Sequence, residues 1–226
     1  MIVAIAAKDL RAEARSRGAL GALLVVQVLI VLSLSFAISL KEDPQEREAL
    51  LLALTPGVLW VSLMIAAVVA VQRSFGREVD EGTIDLLGLA PVDEGEIFAG
   101  KVLANLVLLV LAAVESLVLM VVFLEFRPAV SLSYVLVPLV IGAVAMAALG
   151  TVVSAVAAQT SGRQVVTFVL LVPAALYSVV LPGIEATEAI IGAAPAGPVQ
   201  ALGSLTAATA VYLALGLLLF GYVLHE

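Results

Sequence analysis

Six long apolar stretches, at about 18–40, 49–72, 97–124, 132–158, 164–181 and 204–224, limit this chain more than any other feature. A helix needs about 20 predominantly apolar residues to cross a bilayer's hydrocarbon core. Inside that core no water is available to the backbone, so each stretch has to satisfy its own N–H and C=O groups as a helix. The alternative of a soluble globule fails on composition. The chain is 63% hydrophobic and 13% charged over 226 residues, where soluble domains average about 45–50% and about 25%. The expected fold is therefore an all-α integral membrane protein, a single transmembrane domain over 1–226 with six transmembrane helices. The stretch "IEATEAIIGAAPAGPVQALG" (184–203) before the last span reads as a loop, with 189–203 either loop or re-entrant segment, because Pro195 and Pro198 interrupt helices. The first span is too long, and its basic flank too extended, for a cleavable signal.

Lysine and arginine set the orientation. With six spans both termini share one side, which holds Lys8, Arg11, Arg15, Arg17, Arg73, Arg77, Lys101 and Arg163, while the other side holds only Lys41, Arg47 and Arg127. Eight against three places the termini and the 73–96 loop in the cytoplasm. Absent cysteines exclude disulfides, thiolate metal sites and a cysteine nucleophile. Basic residues confined to membrane borders give no nucleic-acid-binding face, so the expected surroundings are the lipid bilayer and no nucleic acid.

"GEIFAGKV" at 95–102 is one hydroxyl short of a phosphate-binding loop, with Val102 at the position that would hold magnesium. Such a loop follows a buried strand, and here the upstream residues are the turn "APVDEGE". Asp93 and Glu96 read instead as an N-cap and capping-box start for the third span. Lys101 is then expected to snorkel to the cytoplasmic surface. Within the preceding loop, "EGTIDLLGLAP" reads as a short helix along the membrane surface, ended by Pro91. Its aliphatic strip suits a contact surface, although a plain connector fits the composition too. "IVAIAAKDLRAEARSR" reads either as an interfacial helix or as a basic flank that fixes topology.

Glu115 is the only charged residue well inside a span. Intramembrane carboxylates usually face the bundle interior and often mark transport pathways or proton relays, so Glu115 is the pathway candidate, the alternative being a structural polar contact nearer the outer interface. The fourth span carries small residues at four-residue spacing, Ala143, Ala147, Thr151 and Ala155, which lets helices approach closely, whether within the chain or between subunits. His225, the sole histidine, lies in a terminal tail. No catalytic or metal-ligating constellation is evident.

Together these stretches resemble the B subunit of the cytochrome c maturation haem exporter (CcmB), an ABC-transporter membrane subunit. The specific block is "TPGVLWVSLMIAAVVAVQRSFGREVDEGTIDLLGLAPVDEGEIFAGKV". Pro56, Gly57 and Trp60 match the family's entry to the second span, Arg73 its cytoplasmic exit and Lys101 the lysine opening the third span. Glu81, Gly82, Thr83, Ile84, Asp85, Leu86, Leu87 and Pro91 match its loop segment. Outside this block the similarity is mainly one of hydrophobic pattern.

The resemblance implies an ABC-2-type permease-like bundle with an N-terminal interfacial helix, in which residues 81–91 form a coupling helix docked on a separate ATPase subunit. It further implies a homodimer with a second copy of this chain, and work beside a Trp-rich haem-handling membrane subunit and a small haem chaperone. The setting would be the bacterial inner membrane. ATP would be bound and hydrolysed on the partner, and this chain, with no cofactor and no enzyme site of its own, would couple that hydrolysis either to handling haem as cargo or to release of the loaded haem chaperone. Rival readings are an export permease for a lipid, glycan or drug, a proton-coupled carrier centred on Glu115, and a non-transporting scaffold.

Overall fold

The computed structural model describes the chain apart from residues 17, 83–91, 129, 161, 193–197 and 226, and describes only the backbone of 16, 18–20, 22, 23, 77, 198 and 223–225. Among the described residues every regular element is helical. In order they are α1 (Ile2–Ser16), α2 (Gly18–Ser39), α3 (Pro44–Ser74), α4 (Gly76–Asp80), α5 (Glu94–Leu124), α6 (Leu132–Ala158), α7 (Arg163–Ala175), a π-helical stretch (Leu176–Val180), α8 (Leu181–Ile191) and α9 (Pro198–His225). Five described stretches are long and apolar enough to cross a membrane: Pro44–Asp80, Glu94–Leu124, Leu132–Ala158, Arg163–Ile191 and Val199–Tyr222. Leu24–Ser39 is a further, shorter apolar helix.

Local chemistry sets the helix ends. Asp43 caps α3 by accepting the Gln45 N–H at 2.9 Å, with Pro44 in the first helical position, where its missing N–H costs nothing. Asp93 does the same for α5, accepting the Gly95 N–H at 2.8 Å. Glu94 and Glu96 follow in the first turn, where the helix dipole favours acids. Residues 95–102 are thus helical, with Gly100 pressed against Ile5 of α1, and they form no phosphate-wrapping loop.

The two chain ends meet at the end of the bundle where α5 begins. The Met1 ammonium lies 3.8 Å from Glu96, and Phe220 of α9 packs on Phe75 and Phe98 at ring distances of 6.0 and 5.5 Å. At the opposite end the Ser35 hydroxyl of α2 donates to the Phe123 carbonyl of α5 at 3.2 Å.

Trp60 sits at the crossing of α3, α6 and α8. It is fully buried, and its indole N–H donates to the Thr187 hydroxyl at 2.9 Å. Gly142 and Gly183 lie flat against the ring, and a Cβ at either position would overlap it. Lipid tails are as apolar as leucine, so in a membrane such close packing, together with interhelical hydrogen bonds, holds helices together. The small-residue face of α6 is used the same way inside the chain: Ala143, Ala147, Thr151 and Ala155 are all buried.

The fifth span differs from the sequence expectation. It does not end at residue 181 in an acidic loop, but continues as helix to Ile191. Arg163–Ile191 has 29 residues, or about 44 Å at 1.5 Å per residue. That exceeds a hydrocarbon core of roughly 30 Å. Pro182 is tolerated because it falls just behind the π-helical stretch, where the widened turn relieves the clash with the preceding carbonyls.

The same stretch keeps one face inward. Thr167, Leu171, Ala175, Val179, Gly183 and Thr187 are buried at a strict spacing of four. On a straight α-helix that spacing drifts by about 40° per step, and a π segment, turning less per residue, absorbs part of the drift. The last helix also begins earlier than expected, at Pro198 in place of 204, with the proline at its start.

Candidate functional site

The most heavily charged part of the described interior is a cluster under the bundle end that holds the termini. Helix α1 turns Ile2, Ile5, Ala6, Asp9, Leu10 and Glu13 toward the bundle, and Lys8, Arg11 and Arg15 outward. Two acids therefore sit on its apolar stripe, four residues apart. Lys101, two turns into α5, meets them. Its ammonium is 2.7 Å from Glu78 of α4 and 3.0 Å from Asp9, and it also donates to the Ser74 carbonyl. The Phe75 ring lies 4.7 Å away, on a cation–π contact.

Lys101 is only 1% exposed, which corrects the expectation of a snorkelling lysine. The reason is energetic: a buried cation is sustained when acids and carbonyls satisfy it at hydrogen-bond distance. Here α1 supplies one acid and α4 the other. Lys8 closes the cluster from the solvent side, 3.0 Å from Glu78 and 3.2 Å from Asp9. Partial burial works to lower the Lys8 pKa, but its bonds to Glu78 and Asp9 outweigh this and leave it raised.

One turn away, Arg73 at the exit of α3 reaches buried Glu13 of α1 at 3.2 Å. A polar ladder continues inward: Asn105 donates to the Ser74 hydroxyl at 3.3 Å and the Thr151 hydroxyl at 3.1 Å, and Ser154 donates to the Val71 carbonyl at 2.8 Å. A cavity of about 40 Å³ lies among Asp9, Glu13, Arg73, Ser74, Glu78 and Asn105, roomy enough for about one water. On the far side of α4, Asp80 pairs with Arg163 of α7 at 2.7 Å. Through this short helix, α1, α5 and α7 are all tied to the segment that follows it.

The structure brings Arg73 and Lys101 together, and places Glu81 and Gly82 in an exposed turn directly after α4, with Gly82 at φ +64°. Thr83, Ile84, Asp85, Leu86, Leu87 and Pro91 lie outside the described residues. Pro56, Gly57 and Trp60 do not join the cluster. Trp60 lies about 20 Å back along α3 from Arg73, toward the helix start. The block that carries the resemblance thus divides into a packing centre and a charged end.

Glu115 lies on α5 about 20 Å beyond Lys101, half-buried and without a hydrogen bond or ion pair among the described residues. Next to it, the buried Ser116 hydroxyl has no partner among the described residues, and neither has the side chain of fully buried Gln27 on α2. The Ser35–Phe123 bond sets the register of the two parallel helices, and eight residues back along each it brings Gln27 level with Glu115.

Membrane-length helices packed over a buried charge cluster define a polytopic membrane protein. The profile of one family, described as CcmB protein, matches residues 1–217, and the chain belongs to that family. It is 26% identical over 206 residues to a Rhodobacter capsulatus protein named Heme exporter protein B, covering 91% of each chain. It is 27% identical over 212 residues to the Paracoccus denitrificans protein of the same name, covering 94% of this chain and 93% of the relative. A third protein of that name, from Escherichia coli, is 31% identical over 77 residues, about a third of each chain.

Proposed function

We propose that this chain is the membrane subunit of an ABC transporter that delivers haem for cytochrome c maturation in a bacterial inner membrane. ATP is hydrolysed on a separate ATPase subunit, and this chain, as a homodimer, converts that event into movement of its helices. It crosses the membrane six times, with α2 as the first span and both termini and the 73–96 segment in the cytoplasm. A Trp-rich haem-handling membrane subunit and a small haem chaperone complete the assembly and hold the haem, with release of the loaded chaperone as the driven step.

One observation carries the reading: in a chain of the CcmB family, a buried ion cluster is built on α4, the helix that directly precedes residues 81–91 in the chain. Those residues are the coupling helix in this proposal. A push on them reaches α4, and through Glu78 and Asp80 it reaches α1, α5 and α7 together. Elements held by discrete ion pairs have two arrangements instead of a continuum, which is what an ATP-driven switch requires.

The test is to co-express the chain with the ATPase encoded beside it, purify the complex in detergent and measure ATP turnover. A stable complex whose turnover falls with Leu86→Asp supports the reading. Failure of any ATPase to associate sinks it.

A second reading rests on Glu115. A carboxylate without a partner, level with the unpartnered Gln27, suits a proton-coupled carrier. Glu115→Gln abolishes proton-driven uptake in that reading, and leaves ATPase coupling intact in the first.

A further inference from the structure

At the end of the bundle opposite the termini, a groove of about 460 Å³ opens between the α2–α3 turn and the α5–α6 turn. Its apolar part is formed by Leu51, Leu52 and Phe123, and its polar part by Arg47, Arg127, Glu48 and Glu125. The frame is well held. Ser35 bonds the Phe123 carbonyl, Asp43 caps α3, and the left-handed backbone of Glu125, at φ 53°, lets the chain turn and bury Phe126. That turn leaves Glu125 and Arg127, on either side of Phe126, both exposed.

None of the four charged side chains makes an ion pair within the described residues. Lys41 and Glu46 nearby pair with each other at 3.4 Å and do not line the groove. Two guanidiniums and two carboxylates thus stand uncommitted around one apolar slot at the membrane border.

We propose that this groove binds the headgroup of a zwitterionic aminophospholipid of the phosphatidylethanolamine class. Guanidinium matches a phosphate with two parallel N–H donors, and the carboxylates accept from the primary ammonium. The upper acyl carbons lie along Phe123 and the leucines. A purely anionic amphiphile is disfavoured because Glu48 and Glu125 would face its charge. A choline headgroup is disfavoured because it has no N–H to donate to them. This site lies far from the ion cluster and stands whether or not haem is the cargo.

The test uses the full chain, delipidated in detergent and supplied in turn with dioleoyl phosphatidylethanolamine, phosphatidylcholine and phosphatidylglycerol, with retained lipid counted by native mass spectrometry. Phosphatidylethanolamine is expected to be retained about tenfold over phosphatidylcholine, the equivalent of one lost charge-assisted bond. Arg47→Gln with Arg127→Gln removes the retained lipid. Glu48→Gln with Glu125→Gln keeps phospholipid but erases the preference for the ethanolamine headgroup. Unchanged tryptophan emission shows that both variants remain folded. Equal retention of all three lipids, or retention indifferent to both pairs of changes, overturns the site. Stronger retention of phosphatidylglycerol, or of a porphyrin dicarboxylate, overturns the zwitterion assignment.

Discussion

Replacing Lys101 with methionine keeps the length and apolar stem of the side chain and deletes only the charge. Glu78 and Asp9 would then face each other across the gap left by an ammonium that stood 2.7 and 3.0 Å from them. Removing one partner of a buried pair costs about 3–5 kcal/mol, because the other charge is left uncompensated. Lys8 still reaches both acids, at 3.0 and 3.2 Å, but its side chain is 58% exposed and its pull is screened by solvent. The loss should fall at the lower end, about 3 kcal/mol, a large share of a typical stability of about 5–15 kcal/mol. The readout is equilibrium unfolding in mixed micelles followed by the emission of Trp60, the only tryptophan and a fully buried one. Adding Glu78→Gln and Asp9→Asn to Lys101→Met should restore much of the loss, since replacing all the buried charges by neutral groups is often close to neutral. A shift below about 0.5 kcal/mol for the single variant is what an exposed pair would give. That result, or no recovery in the triple variant, refutes the buried cluster.

Four further outcomes follow from the same contacts. Gly142→Val should lower stability by about 1–3 kcal/mol through overpacking on Trp60, and Trp60→Phe should relieve part of that loss, as a double-mutant cycle would register. Gly82→Arg should abolish co-purification of the ATPase while leaving the melting of the spans nearly unchanged. Arg73→Met should loosen α1, seen as faster proteolysis of residues 1–16 with no change in the protection of α6. The Lys8 contribution has a defined pH sign: its folded pKa is raised above 10.5, so its stabilisation is complete below that value and lost as pH climbs through the folded value. Lys8→Met should therefore melt below the parent protein by a constant margin from pH 6 to 9, and the margin should close in strong alkali.

How much of this was written in the sequence differs by element. The 132–158 span needed only an apolar run of membrane length and matched to the residue. The α5 start was legible because Asp93 followed by Glu94 and Glu96 is a cap with its dipole-matching acids. The 163–191 helix is cut short in the sequence reading because Pro195 and Pro198 make the whole stretch before the last span look like a loop. What carries the helix on past Pro182 is a π turn, which no periodicity of 3.6 reveals. Trp60 stood out as a motif residue, but the fit of its ring against Gly142 and Gly183 depends on partners 82 and 123 positions away. Lys101 was misread for the same reason, since a lone lysine at a span border ordinarily reaches for water. One signal could have corrected it. Asp9 and Glu13 lie on the same helical face as Ile2 and Ile5, and acids on an apolar stripe ask for a buried cation.

The cluster also sets an order of events during synthesis. Asp9 and Glu13 leave the ribosome long before Arg73, Glu78 and Lys101 exist, and the apolar helix α2 follows them at once. Until α3 and α5 have been inserted, α1 must wait in water or at the headgroups with its acids hydrated, because nothing is yet there to neutralise them. Lys101, in turn, can leave water only when α1 swings in. Insertion of the third long helix and docking of the N-terminal one are thus a single step, and a ribosome stalled before residue 101 would leave the first helix undocked at the membrane surface.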